Sequence, residues 1–203
     1  MGDEVSAEKK DARLDRRTAV KALLADRERL LVVTGLGSPS YDVFAAGDSD
    51  ANFYLWGAMG GAALVGLGLA VAQPERPVAA FTGDGEQLMG LGGLATIAVT
   101  APKNLSVVVL DNGHFGETGG QLSHSGRGVD LGRVAQAMGF PVVLEVASEA
   151  HYAAARAAMA DMASGPKFIA VRIANGEKPR MLPARDGAFL KTRFRAHLGF
   201  PVR

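Results

Sequence analysis

Short apolar runs alternate along this chain with longer segments in which apolar residues recur at helical spacing. The apolar runs predict buried strands at 30–34, 78–82, 105–110, 142–146 and 168–173. Helices are predicted over 7–30, 39–46, 57–73, 87–100, between Asp130 and Gly139, over 148–163 and near 189–197. Residues 47–52 read as a polar loop, and residues 113–128 as a glycine-rich loop.

The alternation of strands with helices predicts the fold class. Strands without polar positions are typical of a sheet covered on both faces, so we expect an α/β fold with a doubly wound, mainly parallel sheet flanked by helices. Residues 1–29 are expected to form an N-terminal helical arm and residues 30–175 the α/β domain. Residues 176–203 are expected to form a tail that packs on the domain or on a partner.

Composition excludes several classes of protein. The 203 residues contain no cysteine, which excludes disulfides, thiolate metal sites and cysteine nucleophiles. Lys and Arg number 22 against 21 Asp and Glu, so charge gives no reason to expect nucleic-acid or membrane binding. Residues 55–72 carry no charge but include five glycines, which favours a closely packed buried helix over a membrane span. We therefore expect a cytoplasmic protein.

Two strand ends carry candidate chemistry. The strand at 78–82 leads into Gly83, Asp84 and Gly85, and the strand at 105–110 leads into Asn112, 28 positions after Asp84. If the two strands are neighbours, Asp84 and Asn112 project from one rim, and their oxygens suit Mg²⁺ that also holds phosphate oxygens. Each tripeptide alone is a common turn, so the prediction rests on their joint placement after consecutive strands.

These residues resemble the cofactor-binding motif of thiamine diphosphate (ThDP)-dependent enzymes. The resemblance covers residues 30–173. Segments 52–70 (NFYLWGAMGGAALVGLGLA), 83–98 (GDGEQLMGLGGLATIA) and 110–121 (LDNGHFGETGGQ) look like sulfopyruvate and phosphonopyruvate decarboxylases. The family's fold, ThDP and Mg²⁺ are what this resemblance implies for the chain.

The resemblance also implies roles for individual residues. Asp84 and Asn112 would bind Mg²⁺ through their side chains, and the main-chain carbonyl of His114 would be a third ligand. Main-chain N–H groups at Gly85 and Glu86 would bind the diphosphate. The full set of cofactor contacts implied is Gly37, Ser38, Gly57, Met59, Gly83, Asp84, Gly85, Glu86, Asn112, His114, Phe115 and Gly116.

Two of these residues would act on the organic part of the cofactor. Met59 lies where the family has a large apolar residue that bends the aminopyrimidine over the thiazolium. Gly57 would offer its carbonyl to the pyrimidine amino group. The alternative for Met59 is ordinary packing inside a helix.

The family's activating glutamate lies in another domain. Glu86 and Glu117 lie beside the expected diphosphate and metal positions, so neither is a good substitute. We therefore assign no activating residue to this chain. We expect a partner subunit that carries the pyrimidine-binding domain and the activating glutamate. His114 and His124 are possible proton donors on the glycine-rich loop. The remaining candidates are weaker: His151 as a solvated surface residue, and Arg127 and Arg133 as contacts to an acidic substrate.

The function expected is the diphosphate-binding subunit of a heteromeric ThDP- and Mg²⁺-dependent 2-oxoacid decarboxylase, a lyase of the sulfopyruvate or phosphonopyruvate type that releases CO₂ and an aldehyde. Its substrate would be a small anionic 2-oxoacid. Two alternatives stay open: a ThDP-binding subunit of a 2-oxoacid oxidoreductase or carboligating synthase, and a non-catalytic regulatory subunit with the same fold.

Overall fold

The computed structural model describes residues 13–200, which form a six-stranded parallel sheet between two layers of helices. The strands follow the order β2-β1-β3-β4-β8-β7, and a separate antiparallel pair joins β5 and β6. The strands are β1 (Leu31–Thr34), β2 (Asn52–Tyr54), β3 (Val78–Gly83), β4 (Leu105–Asp111), β5 (His114–Phe115), β6 (Gln121–Leu122), β7 (Val142–Val146) and β8 (Lys167–Arg172).

Eight α-helices accompany the strands in this part of the chain. They are α1 (Arg16–Leu23), α2 (Ser38–Ala45), α3 (Ala62–Ala72), α4 (Asp84–Met89), α5 (Leu91–Thr100), α6 (Leu131–Ala137), α7 (Tyr152–Ala160) and α8 (Gly187–His197). None of the described helices is long and apolar enough to cross a membrane.

The sheet is apolar on both faces because side chains alternate along each strand. On β3 and β4, Phe81 and Val108 point to one face, where they join Val20 of α1. Val78 and Val107 point to the other face, where they join Ile97 of α5. The doubly wound α/β prediction is confirmed.

Two predicted helices have different bounds because glycines interrupt them. The helix expected over 57–73 begins only at Ala62, since Gly57 (φ 111°) and Gly60 (φ 91°) place the preceding residues in a loop. The helix expected over 87–100 is two helices, α4 and α5, which meet at Gly90.

Other differences lie at the ends of the predicted elements. Of the predicted helix 7–30, residues 7–12 lie outside the described part of the chain, and α1 ends at Leu23. The polar loop expected at 47–52 gives way at Asn52 to β2, which pairs with β1. The helix expected over 148–163 is a 3₁₀ turn followed by α7, and Ser148 at the start of the turn forms no side-chain cap. Asp130 does cap α6, accepting a hydrogen bond from the Arg133 N–H at 3.0 Å.

Both ends of the described chain pack on the α/β layers. Helix α1 packs against α2 and α7, and Leu14 forms a β-bridge with Ile173 beyond β8. Helix α8 packs beside β2, where the rings of Phe194 and Phe53 lie 5.7 Å apart. The helix predicted near 189–197 is confirmed.

Candidate active site

A cleft opens at the carboxyl ends of β1, β3 and β4, where parallel α/β sheets commonly bind ligands. Strands β3 and β4 are hydrogen-bonded neighbours along their length, so their ends meet at one rim. The cleft has a volume of about 200 Å³ and is partly open to solvent. Its lining includes Arg16, Leu36, Ser38, Pro39, Asp42, Met59, Gly83, Asp84, Gly85, Glu86, Met89, Asn112, His114, Phe115, Gly116, Glu117 and Thr118.

Most of the predicted site residues line this cleft. Ten of the twelve predicted cofactor contacts are part of its lining. The other two are Gly37, which lies between the lining residues Leu36 and Ser38, and Gly57, which lies two positions before Met59. The juxtaposition of Asp84 and Asn112, predicted from strand order, is therefore found in the fold.

Asp84 is buried at the end of β3 and is held by a hydroxyl network. It is 2% exposed, and its Oδ2 accepts hydrogen bonds from Ser123 Oγ and from Ser125 Oγ, the latter at 2.9 Å. Burial raises the pKa of Asp84, with Asp111 adding to the rise and the Ser123 hydrogen bond opposing it. The carboxyl groups of Asp84 and Asp111 thus lie close enough to repel each other at one rim of the sheet, an arrangement that a cation would stabilise.

Asp111 completes this network from the end of β4. Its Oδ1 accepts from Ser125 Oγ at 2.7 Å and from the Gly113 N–H at 3.0 Å. Its Oδ2 pairs with Arg172 of β8. The Ser125 hydroxyl therefore lies within hydrogen-bond distance of the carboxylates at the ends of two adjacent strands, shares its single proton between them, and ties the loop after β4 to both.

Asn112 is fixed by its own loop. Its Oδ1 accepts from the His114 N–H at 3.0 Å, and its Nδ2 donates to Asn175 Oδ1 at 3.3 Å. The His114 ring is also held locally, with Nδ1 2.8 Å from the Asn112 carbonyl. The glycine-rich loop adds the short β5–β6 hairpin, which the sequence did not indicate.

Glycines allow the loops around the cleft to approach one another. A Cβ on Gly85 would lie 2.9 Å from the Phe115 ring, and one on Gly37 (φ 78°) would lie 2.5 Å from Glu117 Oε1. The loop after β4 therefore covers the loops after β1 and β3. Close backbone approach, one of the readings that a glycine-rich sequence allows, is found at these positions.

Met59 lies in a loop and not in a helix. It is 37% exposed and lines the cleft, so the alternative of helix-core packing is wrong for this residue. The loop is seated against the junction of α4 and α5, where a Cβ on Gly90 would lie 2.1 Å from the Gly60 carbonyl oxygen.

Glu86 lies under the cleft with its carboxyl group turned inward. It is 4% exposed, and its Oε1 accepts from the Gly60 N–H at 3.3 Å. Its Oε2 has no hydrogen-bond partner and lies against Gly35, where a Cβ would be only 1.6 Å away. Burial raises the pKa of Glu86. This carboxyl group joins the loop after β1 to the Met59 loop, a contact that sequence reasoning did not anticipate.

A second charged group lies at the edge of the cleft. Asp42 of α2 is fully buried, and Arg16 and Arg17 of α1 approach its carboxylate at 3.1 and 3.2 Å. Burial raises the pKa of Asp42, and the two arginines act in the opposite direction. Arg16 also donates from Nη1 to Ser38 Oγ at 2.9 Å. The contact joins residues 22 positions apart, and no local motif signals it.

Four of the weaker candidates lie outside the cleft. His124 packs edge-on against the Phe115 ring from an exposed position. His151 is exposed and lies in a 3₁₀ turn, not in the predicted surface helix. Arg127 and Arg133 are exposed as well, and Arg133 pairs with Asp130 at 3.6 Å.

Comparisons with known proteins agree with this geometry. Residues 44–171 match the family described as thiamine pyrophosphate enzyme, C-terminal TPP binding domain. The chain is 44% identical over 130 residues to sulfopyruvate decarboxylase subunit beta of Methanothermobacter thermautotrophicus, covering 64% of this chain and 69% of that protein. It is 40% identical over 198 residues to phosphonopyruvate decarboxylase of Streptomyces viridochromogenes, covering 94% of this chain but only 48% of that protein.

A solved structure shows the same fold. The thiamine diphosphate-dependent 4-hydroxybenzoylformate decarboxylase of Rhodococcus jostii RHA1 superposes with a TM-score of 0.64 at 22% identity, over 88% of this chain and 36% of that chain. At this identity the likeness concerns the fold alone.

Proposed function

This chain belongs to the thiamine pyrophosphate enzyme family, in the C-terminal TPP-binding domain, and on that premise we propose that it is the diphosphate-binding subunit of a ThDP- and Mg²⁺-dependent 2-oxoacid decarboxylase. The observation that carries the proposal is the pairing of buried Asp84 with Asn112 at the ends of adjacent strands, in a cleft bordered by glycine loops. The relatives named sulfopyruvate and phosphonopyruvate decarboxylases support the reaction class.

The donor set fits Mg²⁺. Residues 13–200 contain no group of three or more His, Asp or Glu side chains that could hold a metal. The proposed ligands are instead one carboxylate (Asp84), one amide oxygen (Asn112) and the His114 carbonyl, leaving positions for phosphate oxygens as Mg²⁺ prefers. A divalent cation would also offset the repulsion between Asp84 and Asp111.

The loops around the cleft fit a diphosphate. Helix α2 begins at the cleft with Gly37 as its N-cap, and main-chain N–H groups at a helix start attract anions. We propose that Ser38, Gly85 and Glu86 lie along the diphosphate, with Phe115 and Gly116 closing over it. Glu117, whose carboxylate lies against Gly37, would have to move as an anion enters.

The Met59 loop fits the organic part of the cofactor. Met59 presents a flexible apolar side chain to the cleft from a loop that contacts Glu86 and Gly90. Such a side chain can pack against an aromatic ring of the cofactor. When bound, ThDP supplies the nucleophilic carbon and the electron sink that decarboxylation requires. The residues of this chain would hold and orient that cofactor and exclude water from it.

We propose that a partner subunit completes the site. Neither cleft glutamate suits the pyrimidine: Glu86 is turned inward toward Gly35 and Gly60, and Glu117 lies beside Gly37 at the proposed diphosphate end of the cleft. The relative named subunit beta supports a heteromeric assembly, with the activating glutamate on the other chain. The substrate would be a small anionic 2-oxoacid such as sulfopyruvate or phosphonopyruvate, and Mg²⁺ and the partner are part of the proposal.

The test is CO₂ release by this chain co-expressed with a pyrimidine-binding partner. The complex is given ThDP, Mg²⁺ and sulfopyruvate or phosphonopyruvate, with no electron acceptor. We expect CO₂ and an aldehyde from the complex and little turnover from this chain alone. Turnover only with an added acceptor would assign an oxidoreductase instead, and no turnover despite cofactor binding would assign a regulatory subunit.

A further inference from the structure

Helix α1 brings a buried arginine to the cleft. Arg16 is 9% exposed and lines the cleft, although it precedes the residues that match the family domain. Its Nη1 donates to Ser38 Oγ, the first residue of α2, at 2.9 Å. The guanidinium is therefore held at the position where the loop after β1 faces the cleft.

The charges around the cleft make this arginine distinctive. Four residues with a carboxyl side chain line the cleft: Asp42, Asp84, Glu86 and Glu117. Among the described lining residues, Arg16 is the one that carries a permanent positive charge. An anionic ligand entering between four carboxyl groups needs a compensating cation, and a single Mg²⁺ would be shared with Asp84.

Asp42 forms an ion pair with Arg16 but leaves the Arg16 Nε–H without a hydrogen bond. Arg16 Nε lies 3.1 Å from Asp42 Oδ2, yet neither buried atom forms a hydrogen bond. Arg17 shares the same carboxylate through Oδ1 at 3.2 Å. Two guanidinium groups thus face one carboxylate, which leaves positive charge available to the cleft.

We propose that Arg16 is a diphosphate-binding residue, donating a charge-assisted hydrogen bond to the cofactor's diphosphate beside Ser38. Asp42 acts as a positioning residue that fixes the guanidinium at the cleft. The inference rests on the proposed function, because it assigns one more contact to the same cofactor site. It extends that site to a helix outside residues 44–171.

Arg17 provides a matched control. It lies on the same helix and pairs with the same carboxylate, but its Nη2 donates to the Pro179 carbonyl and it does not line the cleft. Arg16→Met and Arg17→Met each remove one guanidinium from Asp42. A purely structural role for Arg16 predicts equal effects, whereas a ligand contact predicts an effect on cofactor affinity from Arg16→Met alone.

The experiment measures ThDP affinity in excess Mg²⁺ for the full chain, alone and in complex with its partner. Fluorescence of Trp56, the single tryptophan and a near neighbour of Met59, reports binding, and thermal unfolding reports the structural effect. We expect Arg16→Met to weaken ThDP binding by about tenfold or more, the usual cost of losing a hydrogen bond to a charged group. Arg17→Met should keep wild-type affinity, and Arg16→Lys should keep most of it because the cation remains.

Two results would overturn the inference. One is unchanged ThDP affinity in Arg16→Met, and the other is an equal loss in Arg16→Met and Arg17→Met that follows their loss of stability. Either result leaves the proposed function intact, because the wild-type protein still binds ThDP. If the wild-type complex binds no ThDP at all, the proposed function fails first and the role of Arg16 fails with it.

Discussion

The contact between Gly90 and Gly60 couples the fold to the site, and an alanine at Gly90 tests it. A Cβ at this position would lie 2.1 Å from the Gly60 carbonyl oxygen and 3.0 Å from its carbonyl carbon. Ordinary contact begins at 3.4 Å, and the obstacle is backbone, not a flexible side chain. The Met59 loop therefore has to move away from the α4–α5 junction by about 1 Å or more to accept the methyl group.

The size of the effect follows from two opposing terms. Overpacking of this kind costs about 1–3 kcal/mol, and a rigid obstacle places Gly90→Ala at the upper end. Gly90 lies between the two helices at φ −92°, where alanine recovers up to about 1 kcal/mol by lowering the entropy of the unfolded chain, so we expect a net loss of about 2 kcal/mol. Gly92 is the matched control, because it lies exposed in α5 and a Cβ there meets nothing within 4 Å. Gly92→Ala should stabilise the protein by about 0.5–1 kcal/mol.

Urea unfolding followed by circular dichroism measures both variants, and Trp56 fluorescence measures their ThDP affinity. We expect Gly90→Ala to lose stability and to bind ThDP more weakly, because the loop that carries Met59 has shifted. Gly92→Ala should gain stability at unchanged affinity. If Gly90→Ala is as stable as Gly92→Ala and binds ThDP equally well, the close approach of the two loops is refuted.

Two further predictions concern the hydroxyl network and the chain ends. Ser125→Ala removes hydrogen bonds to Asp84 and Asp111, and we expect it to cost about 1.5–3 kcal/mol in urea unfolding and to weaken Mg²⁺-dependent ThDP binding. Ser148→Ala, which loses no side-chain cap, should stay within about 0.5 kcal/mol, and equal values for the two serine variants would contradict the bridge. At the chain ends, the hydrogen bond from Lys178 is the main cause that lowers the pKa of Asp15 to about 2. Since that pKa is depressed, the stabilisation exists above the unfolded value of about 3.9 and disappears as the pH falls toward 2. The pair is more than a third exposed, so Lys178→Met should cost at most about 1 kcal/mol near neutral pH, and this cost should shrink toward zero as the pH falls below 2; a cost independent of pH would exclude this pair as its source.

Elements with a strong local signal could be predicted from the sequence. The buried strands β3 and β4 appear as unbroken apolar runs, and their adjacency follows from a crossover of ordinary length between Asp84 and Asn112. Placement of both residues at one rim needed no knowledge of distant contacts. The placement of the proposed metal ligands Asp84 and Asn112 at one rim could therefore be predicted from the sequence.

Features that depend on contacts between distant segments could not be predicted. Gly90 marks the break between α4 and α5, but nothing in the local sequence shows that the Gly60 carbonyl packs against it. Strand β2 was missed because a three-residue strand at a sheet edge has too few positions to show a period. The contact of Arg16 with Ser38 and the bridge made by Ser125 depend on tertiary structure alone, since neither follows a recognisable motif.

In the proposed site, Asp84 holds the magnesium that anchors the cofactor's diphosphate. Calorimetric titration of ThDP into the protein, with Mg²⁺ and then with excess chelator, tests it most directly, with Asp84→Ala beside the wild type. We predict ThDP binding by the wild-type protein only with Mg²⁺, and none by Asp84→Ala although its circular dichroism spectrum is unchanged. Binding by Asp84→Ala at wild-type affinity, or binding by the wild type that is indifferent to Mg²⁺, would contradict the claim.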